Sequence, residues 1–376
     1  MRIMTQPNLI DIPDDINEVI FLNLDSLSDI AHLGCTSKAL HRIFHSNSLW
    51  SSLLQKHFPR IAQETTTHCR ERFAGLRSFA RWTDDVHTNS FSFGSWICGI
   101  ESYKDVMFIG GDDSTVRACN RAGKLLSAKK VSNDWIYDLS LATDASFISV
   151  ISHDDCIFTL VDRSRLSMFY TMTQPGSGMC TAIHDNMILA GGKGYMHMYD
   201  QRDMKTQLMP ANLSAYQNGR KCSLNGTYLA YTAFEQAFAF DLRNLSEPLV
   251  TGNADESPVS LYNSRFMYSP NDAAIVLYDL QTCETVPIDF QNPGVVYALA
   301  QDDNSVAMGD RDGQLSIYNV HTGKKVFSDR VHEDSIRDIA RDSRGMVTGG
   351  DDTNIIVWEW PAISSFVSCG LFEEDT

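Results

Sequence analysis

Asp310-Arg311-Asp312-Gly313-Gln314 has the alternating acids and the glycine with which a calcium loop begins. Such a loop also needs a bidentate glutamate at its twelfth position and a helix on each side. Neither is present, so the segment reads as a turn. The eleven histidines and nine cysteines show no zinc spacing. No G-x-S-x-G nucleophile elbow occurs. The paired glycines at Gly110, Gly191 and Gly349 precede strand-like segments rather than helices, so they are not phosphate loops. No catalytic residue, metal or cofactor is expected, and the chain is not expected to be an enzyme.

The balance of charge narrows the partners. The formal net charge is −16. A protein that tracks phosphates is expected to be basic, which argues against nucleic acid and against an anionic membrane surface. Cys35, Cys69, Cys98, Cys119, Cys156, Cys180, Cys222, Cys283 and Cys369 are scattered, with no C-x-x-C pair. They read as free thiols in a reducing compartment. The first thirty residues lack a basic-then-apolar signal pattern, and no run approaches the ~20 apolar residues of a membrane helix. The N-x-S/T triplets at Asn212, Asn225 and Asn244 therefore read as chance matches.

The elements that must position any site emerge from an internal repeat. An eleven-residue pattern, a small-residue turn followed by alternating apolar residues and a polar stop, ends at Asn120, Asp162, Asp200, Asp241, Asp279, Asn319 and Glu359. Its seventh positions are Val116, Phe158, Met196, Ala237, Ile275, Leu315 and Ile355. Its ninth are Ala118, Leu160, Met198, Ala239, Leu277, Ile317 and Val357. These share one face of a strand, because side chains alternate. The tenth positions, on the other face, are Cys119, Val161, Tyr199, Phe240, Tyr278, Tyr318 and Trp358. A strand apolar on both faces belongs between two layers. Two apolar runs precede each copy and one follows it. Four short strands in about 40 residues is the arithmetic of a propeller blade.

These copies resemble the WD-repeat family, whose repeats end in Trp-Asp after a small-residue turn. The last copy is the nearest match: His332, Thr348, Asp352 and Trp358 fall at the spacing of that family's buried tetrad. The resemblance implies a polar relay in which Asp accepts from His, His meets a hydroxyl, and the hydroxyl meets the indole N–H. Asp113, Asp155, Asp272 and Asp312 occupy the Asp position in four other copies; Lys193 and Phe234 replace it in two. The family usually completes its last blade with an N-terminal strand. Phe91 and Phe93 alternate with serines, so Asn89–Gly94 is expected to pair with Ile355–Trp358.

Residues 9–57 have helical spacing instead. Ile16, Val19, Ile20, Leu22 and Leu24 are followed by Leu27, Ile30 and Leu33, then by Leu40, Ile43, Phe44, Leu49, Trp50 and Leu53. Pro13 starts the first helix, where its missing N–H costs nothing. So small a helical module often completes its core against a partner. The order Ile12-Pro13, Ile16 to Leu22, Leu27-Ser28-Asp29-Ile30, Gly34-Cys35 and Leu49-Trp50 resembles the F-box. Departures are Ile12 for the leading Leu and Gly34 for the usual Val. The resemblance implies binding of a Skp-type adaptor, and through it cullin, by Ile12, Pro13, Ile16, Val19, Ile20, Leu22, Leu24, Leu27, Ile30 and Leu33. Residues 58–88 are expected to form a helical linker. Its stripe of Phe73, Leu76, Phe79, Ala80 and Trp82, with Arg70, Arg72, Arg77 and Arg81, packs on a neighbouring domain or meets an acidic partner.

The expected architecture is thus an α+β multidomain chain: a small all-α F-box, the linker, and an all-β seven-bladed WD-repeat-like propeller over 89–372. By the family's mapping, substrate contacts on the propeller are expected at Trp96, Trp135, Met179, Pro258, Val295 and Arg311, beside the turn positions Asp112, Asp154, Asn271 and Asp351. The two tryptophans read either as partner anchors or as plugs between blades. Arg311 alone among these is basic, which does not support a phosphorylated substrate. The expected role is a non-catalytic substrate receptor of an SCF-type cullin–RING ubiquitin ligase that holds a protein substrate. The alternative is a scaffold that binds the adaptor or other proteins without directing ubiquitination. A channel site for a small ligand would need a convergent polar cluster at the channel mouth, and none is evident in the sequence. The expected location is the cytoplasm or nucleus of a eukaryotic cell, or a host cytosol if a bacterium delivers the chain.

Overall fold

The structure is a computed structural model. It describes residues 87–359, apart from 156, 208–220, 234, 255–257, 271–274, 287–289, 291–294, 303–304, 321–322 and 343–344, together with Leu49. The adaptor-binding residues Ile12 to Leu33, the rest of the 9–57 module and the linker up to 86 lie outside the described residues. So do residues 360–372, which the sequence reading assigned to the propeller.

Alternation of side chains builds the sheets. All seven apolar repeats become the third strand of a four-stranded antiparallel sheet, from Thr115–Asn120 in blade 1 to Asn354–Glu359 in blade 7. Each ends where its eleven-residue copy ends. The seventh and ninth positions of every copy are buried, and so are the tenth positions except half-buried Tyr278. This burial on both faces arises because each sheet is sandwiched between its neighbours. Gly110, Gly309 and Gly349 show how closely the blades approach: an added Cβ would meet Ile136, Ile336 and Ile97 of the next blade at 2.5, 2.4 and 2.8 Å.

The inner strands are Ile97–Tyr103, Ile136–Leu141, Gly178–His184, Lys221–Leu224, Val259–Tyr262, Val296–Gln301 and Ile336–Asp342. Each contacts the next, and the last contacts the first, so the seven-bladed ring is closed. The closing strand is His87–Ser92, antiparallel to Asn354–Glu359, with Asn89 opposite Val357 and Phe91 opposite Ile355. It begins at His87, ahead of the expected boundary at 89. Pairing the first strand with the last removes a sheet edge that would otherwise invite association. Phe91 and Phe93 pack on the cluster of Ile97, Met107, Val347 and Ile355 that joins blades 7 and 1. Asn89 Nδ2 donates to the Arg121 carbonyl at 3.1 Å, and buried Arg121 pairs with Asp342. The seam is therefore held by apolar contact and by a buried ion pair.

Candidate functional site

One hydrogen bond recurs around the ring and defines a face. The turn between the second and third strands donates an N–H to the carbonyl just before the inner strand. The pairs are Asp112 to Trp96 at 3.2 Å, His153 to Trp135 at 3.1 Å and Lys193 to Ser177 at 2.9 Å. Blades 6 and 7 repeat it, with Arg311 to Val295 and Asp351 to Ser335, both at 3.1 Å. Trp96, Trp135, Val295 and Arg311 are thereby tied to one rim. Trp96 and Trp135 meet edge to face, with ring centroids 6.0 Å apart and planes at 84°. They remain 43% and 40% exposed. Met179 and Val295 are half-buried and Arg311 is exposed, whereas Pro258 is buried just before its inner strand.

Sequence reasoning passed over two rings at this place. His153 stacks on Trp135 at 5.6 Å and on Tyr137 at 5.3 Å, each at 22°. The signal was present in the repeat alignment. His153 holds the turn position of Asp112 and Asp351, and Tyr137 holds the extra residue where the inner strand is bulged opposite Ser152. Carboxylates flank the rings. Asp112 Oδ1 accepts the Trp96 N–H at 3.0 Å, Asp134 accepts the Asp154 N–H, and Asp154 lies 2.8 Å from His153 Nδ1. Asp134, His153 and Asp154 each place one ligand atom within 4.8 Å of the others, a group able to hold a metal ion. Asp134 is already engaged by the Asp154 N–H.

Charged side chains converge in the channel, on the inner strands: Glu101, Asp138, Lys221 and Asp338. Their backbone partners explain them. Asp338 Oδ2 accepts the Ile100 N–H at 2.6 Å, and Asp138 Oδ2 accepts the Thr181 N–H at 2.9 Å. Ser140 and Ser223 accept from Ile183 and Leu261, both at 3.2 Å. Each of these side chains clasps the inner strand of the following blade. Burial pushes Glu101 up to about 8 and Asp138 up to about 7, with the charge of Asp338 adding to both. Burial also works against the Lys221 cation, but Asp138 and Asp338 outweigh it and hold Lys221 above its ordinary value. The cluster is a set of clasps around a central cation. An isolated Asp between apolar residues of an inner strand, as in Ile136-Tyr137-Asp138-Leu139, was the available signal.

In blade 7, His332 Nδ1 lies 3.0 Å from both oxygens of Asp352 and Nε2 lies 2.9 Å from Thr348 Oγ1. Trp358 Nε1 donates to the same hydroxyl at 3.3 Å. A carboxylate only accepts, so His332 Nδ1 donates to it; the Thr348 hydroxyl accepts from the indole and donates to Nε2. Burial opposes the charge of Asp352, yet hydrogen bonds from His332, Asn354 and Glu333 outweigh it and hold the carboxyl below its ordinary range. The corresponding acid of blade 1 has a different partner: Asp113 forks onto Arg117.

No family model and no curated protein matches the chain. Among solved structures, the computationally designed Ika8 protein superposes with a TM-score of 0.57 at 13% identity. The match covers 71% of this chain and 97% of the designed one. At that identity the likeness shows the propeller fold alone. Matching chains among solved structures number 1781, and a shared fold does not by itself select a function. A propeller with this closed ring fits a protein-interaction scaffold.

Proposed function

We propose that the chain is a non-catalytic substrate-recognition subunit of an SCF-type cullin–RING ubiquitin ligase. Its 9–57 segment docks a Skp-type adaptor, and its propeller rim holds a protein substrate, in the cytoplasm or nucleus. The observation that carries the substrate half is the pair of half-exposed tryptophans in edge contact on the turn face. Aromatic anchors dominate the energetics of protein interfaces. The adaptor half rests on the order of residues from Ile12-Pro13 to Leu49-Trp50, which resembles the F-box.

Affinity purification of the full chain from eukaryotic cells tests both halves. Pro13→Ala with Leu27→Asp is expected to abolish recovery of the adaptor and leave propeller-bound proteins in place. Trp96→Leu with Trp135→Leu is expected to do the reverse. Undiminished adaptor recovery from the first variant would overturn the ligase reading. A recovered protein that binds the rim but is not ubiquitinated by the reconstituted complex would make the chain a scaffold.

A further inference from the structure

We infer that the Trp96–Trp135 corner receives an arginine side chain from a basic segment of the partner, which lies along the indole and pairs with Asp112. The inference rests on the reading of this rim as the partner-binding face and adds the chemistry of what it binds.

The rim already contains this arrangement twice, built from the chain's own arginines. In blade 1, Arg117 lies over the Phe93 ring at 5.3 Å and forks onto the turn acid Asp113. In blade 7, Arg337 lies over the Tyr297 ring at 5.0 Å, and its Nε donates to the turn acid Asp351 at 2.9 and 2.8 Å. A guanidinium suits both partners at once. Its planar face stacks on an aromatic ring while its N–H fork meets a carboxylate, which a lysine ammonium cannot reproduce.

Register shows a blade that keeps the turn acid without the arginine and carries its aromatic at a different position. Asp351 bonds to Ser335 as Asp112 bonds to Trp96. Ile336 pairs with Gly350 across the same bulge by which Ile97 pairs with Gly111. Arg337 and Cys98 are therefore equivalent positions. Burial first, then the charges of Asp351 and, more weakly, Asp112, push the Cys98 thiol up to about 12 against the opposing cation of Arg337. Blade 1 thus keeps the turn acid of blade 7 and replaces its arginine with a thiol. At the Ser335 position it carries an exposed tryptophan instead, and the next blade adds a second. Among the described residues, no lysine or arginine lies over either indole or pairs with Asp112, and the one ring stacked on Trp135 is the His153 imidazole. Asp134 and Asp154 on blade 2 add negative charge beside the rings. A blade that holds acid and aromatic, with the guanidinium missing, is complementary to an arginine brought from outside.

The test uses the full chain and three labelled heptapeptides, of arginine, lysine and glutamate, with fluorescence anisotropy at 150 mM salt. The parent chain is expected to bind the arginine peptide about tenfold tighter than the lysine peptide, and the glutamate peptide not at all. Trp96→Leu and Asp112→Asn are each expected to bring arginine down to the lysine level. Cys98→Arg, which supplies the guanidinium from within as blade 7 does, is expected to block the arginine peptide while melting within a few degrees of the parent. Asp200→Asn and Asp241→Asn, at the far ends of third strands, are charge-matched controls expected to leave binding unchanged. Equal affinities for arginine and lysine peptides, insensitive to Trp96 and Asp112, would overturn the inference as net-charge attraction. If the tryptophan variants lose a captured partner that the arginine peptide fails to displace, the rim binds proteins but the inferred chemistry is wrong. If the partner survives the tryptophan variants, the reading of the rim itself fails.

Discussion

Blade 7 carries at its centre a threonine, Thr348, and a tryptophan, Trp358, joined by an N–H···O bond of 3.3 Å. At the same two register positions blade 4 carries Tyr231 and Phe240, whose rings stack at 5.8 Å with planes 7° apart. Phe238 lies against both, at 5.5 and 6.4 Å. The two blades have the same strand order and the same alternation, yet one is held by a polar relay and the other by rings. A relay stabilises only when each member finds its partner, so it demands four correct residues on three segments. An aromatic stack demands volume, and tolerates drift in sequence provided the space stays filled. The repeat's architecture thus resides in its turns and alternation, and the centre of a blade is open to substitution as a unit.

The comparison fails outright if the ring does not need both ends. Deleting 87–94 removes the strand opposite Asn354–Glu359 and the Phe91 and Phe93 contacts. Loss of the cooperative melt is expected, and a variant that still melts as a single transition would show that blade 7 stands without its partner strand. Next in size is Phe240→Ala, which leaves a void in the stack. A loss of about 3–5 kcal/mol in denaturant unfolding is expected. Asp352→Ala is expected to cost less, about 1–3 kcal/mol, because it leaves the His332 donor buried without its acceptor. If Asp352→Ala proved the costlier change, the relay rather than packing would be the stronger support.

The smallest effect is a pH dependence centred on the channel, where both kinds of blade meet. The folded chain holds a proton on Glu101 up to about 8 and on Asp138 up to about 7, against ordinary values of 4.5 and 3.8. Between those limits the folded state binds more protons than the unfolded chain, so stability falls as pH rises. Asp338 and Lys221 face the same space. Burial raises Asp338 in the same direction, and the neighbouring carboxylates raise Lys221, so neither reverses the sign. Melting temperatures at pH 5, 6.5 and 8 are expected to decline, and Glu101→Gln is expected to flatten the decline. An identical slope in that variant would remove Glu101 from the account.

Much of this was legible in the residues alone, because the signals were local. Alternation and small-residue turns placed all seven third strands, and Phe91 and Phe93 between serines marked the strand that pairs with Ile355–Trp358. His332, Thr348, Asp352 and Trp358 could be aligned by spacing. Other features depended on which blade faces which. Trp96 and Trp135 are 39 residues apart and touch because the inner strands they precede are neighbours. His153 and Tyr137 looked like ordinary turn and strand residues until stacking joined them to Trp135. Asp138, Lys221 and Asp338 come from blades 2, 4 and 7, and no local pattern connects them. Sequence determines turns, strands and their faces because those depend on residues a few positions apart. Packing of blade 2 on blade 1 decided the rim's aromatic corner, and closure of the ring decided the channel's charges, because Asp138, Lys221 and Asp338 stand on blades that only the complete circle turns toward one another.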